Sequence, residues 1–213
     1  WQFDHRYSSY SADTEKLVSD SEKKDPTFNI KTKFYMNKSE VERRLRKNYV
    51  DRDWILVYRD IARSTDERTL IAAIVPKCAT NYTIRLCITG VEPKFQAALL
   101  ANINSICLDF LARQKFGGTH LSDYLFRQLP LPTPSSYCDA DMQFITSRVL
   151  ELSYVSADLA QFAMDLDYNG PPYTWDPMRR AILRSELDAY FAYLYGLTRE
   201  ELRYILDPTD VMG

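Results

Sequence analysis

Three short stretches of the chain are rich in apolar residues, the first two almost without interruption. WILVYR (54–59), TLIAAIVP (69–76) and TIRLCIT (83–89) are rich in branched side chains, and Pro76 stops the second. Such runs predict strands buried on both faces, and their closeness in sequence predicts an antiparallel or mixed sheet. Upstream, FNIKTKFYM (28–36) alternates. Phe28, Ile30, Thr32, Phe34 and Met36 fall on one side and Lys31, Lys33 and Tyr35 on the other, which predicts a strand with one wet face. The polar stretch 11–27 has no periodicity and reads as a loop.

Helical spacing takes over elsewhere. Ser39 and Glu42 have the spacing of a capping box, with Val41 and Leu45 as an apolar stripe, so a short helix is expected over 40–48. Its other face carries Arg43, Arg44, Arg46 and Lys47, a pattern that is more often a solvated face than a site. Pro93 opens a long helix over about 94–114, with Leu99, Ile103, Ile106, Cys107, Phe110 and Leu111 on one face, ending near Gly117-Gly118. The segment 121–132 reads as extended. Beyond Pro134 an amphipathic helix is expected over 139–164, then a turn at NGPPYTW. Asp176 and Pro177 start a further helix whose inward residues are Ile182, Leu183, Leu187, Tyr190, Phe191 and Leu194, closed by Gly196. Thr198 and Glu201 cap the last helix, which stops before Asp207-Pro208. The expected class is α+β: a mixed or antiparallel sheet with helices over 1–134, then an all-helical portion over 135–213.

Charge sharpens that division. Net charge is only −2, but residues 31–130 carry +7 and residues 131–213 carry −7. A basic middle suits a polyanion partner, and equally an internal complement between two lobes. The four cysteines (Cys78, Cys87, Cys107, Cys138) form no CxxC pair, so they read as buried thiols of a reducing, cytoplasmic compartment. No apolar run is long enough for a membrane span, and no signal peptide stands at the start. A chain beginning at Trp1 reads as a piece of something longer.

Catalytic chemistry is thin. His5 and His120 suggest no triad, Glu22-Lys23-Lys24 sits in a polar stretch with no strand behind it, and no glycine-rich loop follows a strand. In NGPPY a glycine separates Asn169 from the prolines, unlike the Asn-Pro-Pro-Tyr element of adenine-N6 methyltransferases. The chain therefore reads as non-catalytic, with no cofactor and no metal of its own. RDIARSTDERT (59–69) is more pointed: Arg59, Arg63 and Arg68 alternate with Ser64, Thr65 and Thr69 between two buried strands. Guanidinium forks and hydroxyls suit phosphates and guanine edges, although Asp60, Asp66 and Glu67 could simply pair with the arginines. Arg113, Lys115, Thr119 and His120 flank Gly117-Gly118 as a second cluster able to cradle a phosphate, although a helix C-terminus carries the wrong dipole sign for one. Arg63 and Arg68 are the leading candidates to touch DNA, with Arg59 behind them.

WQFDHRYSSY, WILVYRDIARSTDERTLIAAIVP, RQKFGGTHLSDYLFRQLPLP and RRAILRSELDAYFAYLYGLTREELRYILDP, in that order, also carry a family resemblance. The chain resembles the C-terminal target-recognition region of type IIG-like adenine-N6 DNA methyltransferases of restriction–modification and phage-defence systems. That resemblance implies a module that reads double-stranded DNA for a methyltransferase domain upstream of Trp1, with S-adenosylmethionine bound in that upstream domain. The other reading of the residues is a protein-interaction scaffold, its acidic helices docked on the methyltransferase domain.

Overall fold

The computed structural model describes residues 2–48, 51–63, 65–115 and 117–209. Its strands are β1 (Ser8–Ser11), β2 (Thr14–Leu17), β3 (Trp54–Arg59), β4 (Ala72–Pro76) and β5 (Ile84–Leu86). The helices are α1 (Asp20–Lys24), α2 (Lys38–Lys47), α3 (Pro93–Ile103), α4 (Ile106–Lys115), α5 (Asp123–Phe126), α6 (Asp139–Ser153), α7 (Ala160–Met164), α8 (Pro177–Leu194) and α9 (Arg199–Leu206). This is an α+β fold with its helices gathered in the C-terminal half.

The three runs pair in the order β4-β3-β5, antiparallel throughout, with Trp54 opposite Pro76 and Val57 opposite Leu86, although β4 and β5 are shorter than expected and β5 is half-buried rather than buried. Because side chains alternate along β3, its unbroken run serves two layers. Trp54, Leu56 and Tyr58 enter the main core, while Ile55 and Val57 meet Leu45 and Val41 of α2 on the other face. One continuous cluster runs from Phe3 through β3, β4, α3 and α6 to Leu183, Leu187 and Phe191 of α8, so the basic and acidic portions share a core.

Several sequence expectations change. Residues 11–27 hold the end of a β1–β2 hairpin and α1, whose Ser19–Glu22 capping box closes at both bonds. Residues 28–36 form no strand, because no neighbouring backbone continues a ladder along them. Helix α2 starts two residues early, where the Asn37 side chain accepts from Ser39 N. The single helix expected over 94–114 is two, α3 and α4, bent by 63°. At the elbow, Asn104 bonds Ala72 of β4 in both directions (2.9 and 3.0 Å) and Ser105 bonds back to Asn102 O, so side chains compete with the helical ladder. Helix α3 buries Ala97, Ala98, Leu100, Ala101 and Ile103, and its alanines leave room for α6 to pack along it. Segment 121–132 contains α5, capped by Ser122. The helix begun at Asp139 stops at Tyr154, where the 169–175 turn docks through Tyr173 N on Tyr154 O (2.8 Å). Ile182 is half exposed rather than inward, and Cys78 and Cys138 are exposed rather than buried. The start of α8, its Gly196 stop at φ +69° and the Thr198–Glu201 box are as expected. Among the described residues no single helix is long and apolar enough to cross a membrane.

The N-terminal segment is sewn into this core. Phe3 is buried against the free edge of β4 through Phe3 N on Ala72 O (3.0 Å). Arg6 is fully buried, donating to Asp4 and to the carbonyls of Lys23 and Asp25. His5 meets Asp158 at 3.0 Å.

Candidate nucleic-acid interface

The β3–β4 loop and the segment after α4 are more than fifty positions apart in sequence, and the fold brings them together. Ile61 pairs with His120 as an antiparallel bridge, with Ala62 N on Thr119 O (3.1 Å) and Leu121 N on Asp60 O (2.7 Å). The loop's far side is held by α4. Asp109, a buried carboxylate, accepts from Thr69 N (2.7 Å), Leu70 N (2.6 Å) and Arg113 Nε (2.8 Å). Arg113 in turn donates to Glu67 O. A charge-assisted triple of this kind, with little water to compete, fixes the loop's shape.

The sequence-predicted residues divide on this frame. Arg63, Thr65, Lys115, Thr119 and His120 are exposed on the joined edge. Arg63 has its backbone fixed on both sides, its N–H on Asp66 Oδ2 (3.1 Å) and its carbonyl taking Thr69 Oγ1 (3.0 Å). Its guanidinium makes no ion pair among the described residues. Asp66, itself partly exposed, is engaged by that bond and by Arg59 at 3.4 Å.

The other candidates have structural work. Thr69 is 0% exposed and offers a duplex nothing to touch. Arg59, partly buried at the end of β3, donates to Asp66 and to Arg68 O. Arg68 reaches across to Asp188 of α8 at 3.3 Å, both side chains about four-fifths buried. Burial pushes the Asp188 carboxyl up, while Arg68 and the bond from Ile106 N (2.7 Å) act to hold it down. Ser64 lies outside the described residues.

Two residues that organise the edge escape sequence reasoning. Asp60 reads as a partner for the loop arginines, but its buried carboxylate takes Arg85 (2.8 Å) and lies 3.4 Å from His120 Nδ1. Asp109 gives a faint signal, a carboxylate among the apolar positions of α4. The NGPPY turn is a staple: Tyr168 Oη donates to Pro171 O (3.1 Å) and the Tyr168 and Tyr173 rings stack 5.2 Å apart. Gly170 lies so close beneath the Tyr168 ring that a Cβ would collide with it. Asn169 is exposed in this turn. Among the described residues no cluster of His, Cys, Asp and Glu is placed to hold a metal ion.

No protein family, curated protein or solved structure matches this chain.

Proposed function

We propose that this chain is a sequence-recognition module for double-stranded DNA, working for an adenine-N6 methyltransferase domain elsewhere in the same protein, and that its 59–63/115–120 edge faces the duplex. The observation that carries the reading is the Ile61–His120 bridge. It joins the two segments into one edge with Arg63, Thr65, Lys115, Thr119 and His120 outward, in the part of the chain with net charge +7. The ordered resemblance along the chain adds to it. On this reading S-adenosylmethionine and the base-extruding chemistry belong to the upstream domain, and this module holds the distorted duplex.

Arg63 and Arg68 now separate. Arg63→Ala should weaken binding about 5–100-fold and relax one sequence position if it meets a base edge. If it meets only phosphate, binding should weaken evenly across sequences and the salt slope should fall by about one. Arg68→Ala should instead lower stability by about 1 kcal/mol, through the partly screened pair with Asp188, and change specificity little. Fluorescence titration on cognate and scrambled duplexes at several salt concentrations, with thermal melts alongside, measures both. Unchanged affinity, specificity and salt slope for a folded Arg63→Ala chain would refute the assignment.

A specific observation favours the scaffold reading for the acidic helices. Between α4 and α9 lies a cavity of about 450 Å³ lined by Phe110, Leu111, Leu197, Tyr204 and Ile205, with Glu200 and Glu201 at its border. Apolar walls beside carboxylates suit a protein partner better than phosphate.

A further inference from the structure

Residues 31–38 present a second surface that the edge described above does not use. Phe34 is 83% and Tyr35 82% exposed, and Met36 is half exposed beside them. In a strand, neighbours alternate faces and one of each pair is normally covered. Here three consecutive large side chains stand in solvent. The span is not loose at its ends. Lys31 is fixed through Tyr10 N on its carbonyl (2.8 Å) and its own N–H on Ser9 Oγ (2.9 Å). At the other end Asn37 caps α2. Between these anchors Thr32 Oγ1 donates to Phe34 O (3.0 Å), which shapes the bow. The exposed side chains are held out by the backbone.

The charge around them is mainly positive. From Pro26 to Ser39 there is no carboxylate, and residues 26–47 hold seven basic and two acidic side chains, net +5. Glu40 is used up by Arg43 and Arg44 (2.8 and 2.6 Å), and Glu42 lies 3.9 Å from Lys38. Lys31, Arg46 and Lys47 make no ion pair among the described residues, and Lys33 lies over the Phe34 ring at 5.8 Å. Aromatic side chains set among lysines, of which only Lys38 has a carboxylate in reach, suit a polyanion that also offers flat apolar faces. A protein partner of this apolar patch would have to bring its own carboxylates to Lys31 and Lys33.

We infer that residues 31–38 are a second DNA contact, in which Lys31, Lys33 and Lys38 take backbone phosphates and Phe34 and Tyr35 press against bases at an unstacked step. The inference rests on the DNA-binding reading above and adds a site to it. It gives the module a place to hold the distortion that extruding a base creates. The groove beside the arm, lined by Met36, Val41, Lys77 and Cys78, puts it at the end of β4 remote from the 59–69 loop. Phosphates met here are thus not those met by Arg63.

The experiment uses the whole chain and a mixed-sequence duplex, either fully paired or carrying one mismatch. The intact chain should prefer the mismatched duplex, because an already opened step costs less to enter. Phe34→Ala/Tyr35→Ala should remove that preference and weaken binding to the mismatched duplex about tenfold. Lys31→Ala/Lys33→Ala should weaken both duplexes and lower the salt slope by about two. All four positions lie outside the core, and circular dichroism checks that the variants fold. If Arg63→Ala weakens binding while both arm variants match the intact chain, the inference is overturned and the DNA-binding reading stands. If the intact chain binds neither duplex, both fall together. Unchanged DNA binding with loss of self-association in sedimentation would assign the arm to a protein contact and overturn the inference.

Discussion

Asp109→Ala is the sharpest test of how the loop is held. The carboxylate is 3% exposed and serves two backbone amides and one guanidinium. Removing it leaves Thr69 N and Leu70 N buried without acceptors, at about 1–3 kcal/mol each, and strips Arg113 of its closest charge. Breaking one member of a buried charged set costs about 3–5 kcal/mol, and the two routes agree. Against the roughly 5–15 kcal/mol that holds a domain, that is a large share. For a chain of this size it should lower Tm by about 10 °C, at about 2–4 °C per kcal/mol. Asp109→Asn is the companion variant. Its amide oxygen can still accept from one or both N–H groups, so it should lose roughly half as much. Guanidinium titration and calorimetry give the two losses, and hydrogen exchange at Thr69 and Leu70 should quicken in both variants. A loss under about 1 kcal/mol for Asp109→Ala, with protection at Thr69 unchanged, would show that the loop is shaped by something other than this carboxylate.

The contact between α6 and α8 should give the protein a pH signature. Tyr190 Oη donates to Asp141 at 2.6 Å, which holds the Asp141 carboxyl below its usual range and pushes the Tyr190 hydroxyl up to about 12. The stability from Asp141 is present above its ordinary range near 3.8 and drains away as pH falls; that from Tyr190 is present below 10 and lost as pH rises towards about 12. Tyr190→Phe should flatten both limbs of a stability–pH curve, and unchanged limbs would refute the linkage. Reversing charge at Glu200 and Glu201 to Lys should leave DNA affinity within about twofold at physiological salt, since screening removes most effects of a remote surface. A tenfold change in a titration would place the acidic helices at the duplex.

Elements that bury both faces or carry their own caps were legible in the sequence. β3 and β4 needed only an unbroken branched run, and α8 needed Asp176, Pro177 and Gly196, because such signals are local. The misreadings share a cause in the rest of the fold. FNIKTKFYM has a strand's alternation, but a strand exists only where another backbone runs along it, and the single bond from Tyr10 N to Lys31 O does not continue into a ladder. The elbow at Asn104 depends on Ala72, thirty-two positions away. Of the candidate site, the loop's ends and its exposed Arg63 were readable. The capture of Arg68 by Asp188 was not, because nothing near either residue announces the other.

That capture has a consequence for the order of folding. The Arg68–Asp188 contact closes over 120 positions of chain, and its carboxylate also takes Ile106 N at the head of α4. Contacts this distant form late, after local helices and the β3–β4 pairing have shortened the effective path. During synthesis from the N-terminus, the loop would leave the ribosome well before α8 exists to pin it. A chain cut short of α8 would therefore keep every residue of its reading edge and the Asp109 bonds that shape the loop, and lack only the tie that Arg68 makes to the helical half.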